Sequence, residues 1–168
     1  MDDHKLSHLF QSKAFRQGIS FGVVSSAMTV LGISLGVWSS AGKLKSIVAS
    51  IIGLSISNSL ADAFSMYMSD RASGQTKKAD VSSIVTASVE FLFPFLFLIP
   101  FLVFKLNTAV IINAIIGIIL VAGTGYYVSS INKRSEKQTL EDISLYIFIT
   151  LIIMFLTYLG GILVKTLM

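Results

Sequence analysis

The sequence predicts an all-α polytopic membrane protein with five transmembrane helices, and three observations carry that prediction. Of its 168 residues 54% are hydrophobic and only 13% are charged, more apolar surface than a soluble domain of this length can bury. Its uncharged stretches each match the roughly 20 residues that an α-helix needs to cross about 30 Å of hydrocarbon. These runs are long and continuously apolar, whereas the strands of a spanning β-barrel would be short and alternating. Helices are therefore expected near Gly18–Ser39, Ser46–Ser69, Val81–Phe104, Leu106–Ser130 and Ile143–Val164.

Residues 1–17 precede the first span as a cytoplasmic amphipathic segment, and residues 18–168 form a single five-helix domain. Leu6, Leu9, Phe10 and Phe15 alternate there with Lys5, Lys13 and Arg16. That pattern suits attachment at the membrane interface, and it lacks the apolar core and small-residue cleavage site of a secretory signal. His4 and His8 stand one helical turn apart and could bind a metal, but the interfacial reading explains the whole stretch.

In the first helix Gly18, Gly22, Ser25, Thr29, Gly32 and Gly36 recur at steps of four and three and so share one face. Small residues let two helix backbones approach closely where lipid removes the hydrophobic drive for association. The seam can serve packing inside the chain or a homodimer through the first helix. The dimer is favoured because five helices without an internal repeat cannot supply two equal inverted halves.

The second helix carries a polar stripe of Ser55, Asn58, Ser59, Asp62, Ser65, Met66 and Ser69, whose spacing puts them on one face. An ionised Asp at mid-helix costs about 2.5 to 3.5 kcal/mol on insertion scales, so this face looks at protein, water or a cation. Glu90, in the third helix, is the other acid well inside a span. Measured from their shared loop at 1.5 Å per residue, Asp62 and Glu90 both lie about 12 to 15 Å into the membrane, and could share one site. Further on, Gly123-Thr124-Gly125 lacks the lysine and strand context of a phosphate loop and reads as helix packing. The run from Lys133 to Lys137 reads as a solvated loop.

Nine basic residues fall on the side of the N-terminus and four on the other. The positive-inside rule then places the N-terminus in the cytoplasm and the C-terminus outside it or in a lumen. Trp38, Tyr67, Tyr126, Tyr127 and Tyr146 lie near predicted helix ends, as an aromatic belt requires. The net charge of +4 is spread over loops, which argues for topology and against a nucleic-acid partner. With no cysteine, a disulfide framework and a thiolate metal site are both excluded. Neither a catalytic triad nor a nucleotide motif is present, so no enzyme activity and no resident cofactor are expected.

Carboxylate, amide and hydroxyl oxygens suit hard divalent ions, and thioether sulfur from Met66, Met68 or Met28 adds affinity for softer ones. Iron(II) and manganese(II) fit that mixture, and Asp62, Met66, Asn58 and Glu90 are the candidate ligands.

The run Asn58-Ser59-Leu60-Ala61-Asp62-Ala63-Phe64-Ser65-Met66-Tyr67-Met68 is similar to the second-helix signature of the vacuolar iron transporter family. Phe97-Leu98-Ile99-Pro100-Phe101 looks like the end of that family's third helix, and Phe155-Leu156-Thr157-Tyr158-Leu159-Gly160-Gly161 like the close of its fifth. The resemblance implies a dimeric, proton-coupled exporter of iron(II) or manganese(II) from the cytosol, with metal contacts at Met66 and Asn58 and a pathway at or near the dimer interface. It also implies the plasma membrane in a prokaryote, or a vacuolar or other organelle membrane in a eukaryote. The loop from Arg71 to Lys78 is too short for the cytoplasmic metal-binding domain of some members, so the chain resembles the family's short branch. Where the family's first helix usually bears an Asp followed by Gly, this chain has Ser25-Ser26. Glu90 is the residue that could restore the lost charge. The alternatives are a non-transporting relative serving as a structural or interaction subunit, and an exporter of a small organic solute.

Overall fold

Apolar runs separated by short polar loops become six helices in the computed structural model, which describes residues 12–40 and 42–168. They are α1 Lys13–Ser40, α2 Leu44–Ala72, α3 Thr76–Leu92, α4 Pro94–Val103, α5 Leu106–Ile131 and α6 Glu136–Leu167. The described residues contain no strand. Because α3 and α4 make one span, five helices are long and apolar enough to cross a membrane. The all-α class and the number of spans are those expected, and they are compatible with an integral membrane protein.

The third span departs from the continuous helix expected over 81–104. Pro94 has no N–H to give to the carbonyl of Glu90 four residues back, and its ring crowds that carbonyl. The hydrogen-bond ladder is therefore interrupted at Phe93, whose backbone stays helical, and α4 starts at Pro94, where the missing N–H would have had no helical partner anyway. Ser55 Oγ donates to the Phe91 carbonyl at 2.7 Å and pins the break to α2.

The outer helices run further than expected because the regions flanking the hydrocarbon tolerate charge. α6 begins at Glu136, seven residues before Ile143, where a capping box starts it: Ser135 Oγ accepts from Gln138 N, and the Gln138 side chain accepts from Ser135 N at 3.1 Å. Residues 13–17 of the expected amphipathic segment belong to α1. The remainder of that segment up to residue 11, with His4 and His8, lies outside the described residues.

The glycine seam of α1 is used within the chain, the packing that its spacing also allowed. A methyl group on Gly18 would lie 2.7 Å from the Ser82 carbonyl oxygen, and one on Gly22 would lie 2.9 Å from Val89 Cβ, so these two glycines let α3 in. Gly32 and Gly36 face Thr157 on α6, and Gly161 of α6 sits against the Gly36 carbonyl and Ser39. On α5, Gly117 makes room for Leu31. Surrounded this way, α1 supplies Ala27, Val30, Leu31 and Leu35 to the core, where they meet Ile47, Ile51, Phe97, Phe101 and Val121. Buried Asn113 ties α5 to α4 by donating to the Phe97 carbonyl at 2.9 Å.

The first residues of α1, α3 and α6 gather at one end of the bundle with the last of α2 and α5, as Gln17–Asp70, Gly18–Ser82 and Gly125–Tyr146 neighbours require. Single cysteines at Lys77 and Lys105, both exposed, are expected to react with an impermeant maleimide from opposite faces of the membrane. Labelling from the same face would break the five-span arrangement.

Candidate intramembrane site

Four-residue steps on two helices build the site. On α2, Asn58, Asp62, Met66 and Asp70 lie one above another, and on α3 Ser82, Thr86 and Glu90 do the same. All three α3 residues are buried, Glu90 to 1% exposure. The third span thus turns its polar stripe inward and its apolar residues toward lipid.

Asp62, Asn58 and Glu90 come together. Asp62 Oδ2 accepts from Ser25 Oγ of α1 at 2.8 Å and from Asn58 Nδ2 at 3.3 Å, and the same amide nitrogen is 3.5 Å from Glu90 Oε2. One amide bridging both acids puts them at a common depth. Glu90 Oε1 has no hydrogen-bond partner among the described residues, nor has Thr86 Oγ1 one turn away on α3. Among the described residues the ion pairs are Lys78–Asp70 and Arg134–Asp142, so Asp62 and Glu90 have no cation within 4 Å.

Met66 stands apart from that group. It lies one turn, about 6 Å, nearer the Lys13 end, and its sulfur accepts from Gln17 Nε2 at 3.1 Å. Around it is a second polar layer centred on buried Asp70. Asp70 Oδ2 accepts a short hydrogen bond from Ser82 Oγ, while Asp70 Oδ1 is 3.5 Å from Gln17 Nε2 and 3.7 Å from Lys78 Nζ. Of the other thioethers, Met68 is on the exposed face of α2 and Met28 packs against the core.

The two layers make a polar file between α1, α2 and α3, running from the Lys13 end to mid-span. Sequence reasoning missed Gln17, Asp70, Ser82 and Thr86. The signal for the α3 pair was present, since Ser82, Thr86 and Glu90 repeat every fourth residue in an otherwise apolar span.

Chemically, the inner layer offers two carboxylates, a hydroxyl and an amide. Two carboxylates confined without a cation attract a dication or share a proton. Among the described residues no group of three or more His, Cys, Asp or Glu is placed to hold a metal. A cation here would have to complete its shell with neutral oxygens. Rotating the Asn58 amide by a half-turn would bring its carbonyl oxygen to where its N–H groups now point, and Ser25 supplies a hydroxyl oxygen. Comparison with protein-family models, with curated proteins and with solved structures finds no match to this chain.

Proposed function

We propose that the chain exports a divalent metal ion, iron(II) or manganese(II), from the cytosol, with Asp62, Glu90 and Asn58 as the mid-membrane station. The observation that carries this reading is the bridged pair of acids, one of them with a buried oxygen that no described residue satisfies. Burying such a pair without a counter-charge costs several kcal/mol that packing does not return, and a dication supplies the missing attraction. Gln17, Met66 and Asp70 then form an approach station between the cytosol and the acids, where the thioether favours a softer ion. Pro94 leaves the Glu90 carbonyl without its usual helical donor. The second-helix resemblance to the vacuolar iron transporter family points the same way.

A homodimer belongs to the proposal, but through α2. Gly53, Ser57, Ala61 and Ser65 form an exposed row of small residues on that helix, and half-buried Asn58 and Asp62 border it. Lipid offers these polar groups no partner, whereas a second α2 packed on the row would enclose them. A non-transporting subunit is the second reading. It is favoured by the Ser25 hydroxyl and the Asn58 amide, which already satisfy Asp62 where the family's first helix would bring an acid.

Purified protein in proteoliposomes decides between the two. Manganese(II) uptake reported by an enclosed dye is expected to exceed that of protein-free vesicles at neutral pH. It is expected to fall as the metal-side pH drops, because the carboxylates must be deprotonated to hold the ion. Met66→Leu is expected to slow manganese(II) while leaving any magnesium leak unchanged. Vesicles no more permeable than empty ones favour the subunit reading.

A further inference from the structure

Glycine placement splays α1 away from α5 at one end of the bundle. At mid-span Leu31 of α1 seats over Gly117 of α5, and at the far end Trp38 Nε1 donates to Asn107 Oδ1 at 3.0 Å. At the Lys13 end the two helices find other partners. Gly18 and Gly22 draw α1 onto α3, and Gly125 draws α5 onto Tyr146 of α6. The space left between α1, α5 and α6 is a cavity of about 870 Å³, within the size range of ligand sites.

Its walls are divided by chemistry. Toward the interior they are apolar, with Val24, Met28, Val128 and Tyr146. Toward the Lys13 end stand Lys13, Arg16 and Lys78, and among the described residues no acid lines the cavity. Lys78 is 3.7 Å from Asp70 and donates to Gln75, so part of its charge is already answered. Lys13 and Arg16 have no acid within 4 Å among the described residues. The polar file described above runs beside this cavity, and Gln17, Ser25 and Lys78 border both.

We infer that this cavity binds a phospholipid with an anionic headgroup, its phosphate held by Lys13 and Arg16 and its upper acyl chain lying along Val24, Met28 and Val128. Charge complementarity selects an anion, and the guanidinium of Arg16 suits a phosphate in particular. The apolar inner wall selects an amphiphile over a free ion. The site's level also fits, because a basic pocket between spans at the headgroup depth is where anionic lipids are held.

Native mass spectrometry of the full chain released from micelles tests this, with phosphatidylglycerol and phosphatidylcholine of identical acyl chains as probes. The wild-type chain is expected to retain one phosphatidylglycerol in preference to phosphatidylcholine. In Lys13→Gln/Arg16→Gln, which changes residues outside the core, affinity for phosphatidylglycerol is expected to fall about thirtyfold, from roughly fivefold for each basic residue near an anionic headgroup. Val128→Trp fills the apolar wall without touching charge and is expected to weaken binding of the same lipid. Lys133→Gln/Lys137→Gln removes as much charge at the same end but outside the cavity, and is expected to bind as the wild type does. Three results would overturn the proposal: no headgroup preference in the wild type, an equal loss in the Lys133/Lys137 control, or displacement of the lipid by millimolar inorganic phosphate, which would mark a free-anion site.

Discussion

Asp62→Asn is expected to abolish metal flux while leaving the protein folded. The substituted amide keeps an oxygen for the 2.8 Å bond from Ser25, and a neutral group is cheaper than a carboxylate to hold half-buried in hydrocarbon. What disappears is half of the negative charge in a layer with no basic side chain. Loss of supporting groups around a bound metal already costs 10- to 100-fold in affinity, so loss of one of two charged ligands should reduce manganese(II) flux by at least about a hundredfold. Glu90→Gln should do the same, and its thermal midpoint should not fall, since the buried acid is the costlier group to keep. Flux in proteoliposomes, normalised to reconstituted protein, is the measurement. Wild-type rates in both variants would remove the acids from the function and leave the subunit reading in place.

How much of this was legible in the sequence depends on the length scale. Span number and approximate position follow from apolar length alone, and so does the common depth of Asp62 and Glu90, because helical rise converts sequence separation directly into distance. Lateral arrangement does not follow. Met66 shares a face with Asp62, yet four residues are a full turn, enough to give its sulfur to Gln17 instead. The seam of α1 shows why spacing alone is ambiguous: close approach requires small residues, but the partner is chosen by what the other helices present. Val85 and Val89 of α3 fill the space over Gly18 and Gly22, and Thr157 of α6 covers Gly32 and Gly36. Ser82 and Thr86 were readable from their period and passed over, since hydroxyls in membrane helices so often bond to their own backbone.

Gly18→Leu is expected to be strongly destabilising. Its first added carbon would meet the backbone oxygen of Ser82 at 2.7 Å and the branched side chain of Val85 at 2.8 Å. Neither is the movable end of a long side chain, so α1 must separate from α3. Overpacking of a close contact costs about 1 to 3 kcal/mol for added methylenes, and a whole isobutyl group against backbone should reach the top of that range or exceed it. Gly53→Leu is the control, because nothing lies within 4 Å of the position a side chain would take. Its monomer stability should stay within about 0.5 kcal/mol of wild type, while self-association through the α2 row should weaken. Thermal unfolding in detergent reads the first effect and single-molecule mass measurement the second. A Gly18→Leu protein as stable as wild type would mean that α1 and α3 are not packed through this contact.

The inward polar stripe of α3 also bears on how the chain is made. Ser82, Thr86 and Glu90 carry a polar load into the third span, where one acid at the centre carries a penalty of about 2.5 to 3.5 kcal/mol. The groups that answer that penalty, Asn58 for Glu90 and Asp70 for Ser82, are synthesised before it. Residues 13–72 emerge first as a helical hairpin with that polar flank uncovered, and the third span enters as the piece that covers it. Membrane integration of α3 is therefore expected to be eased by the hairpin that precedes it, so that a substitution at Asn58 should lower the yield of inserted protein as well as alter the finished site.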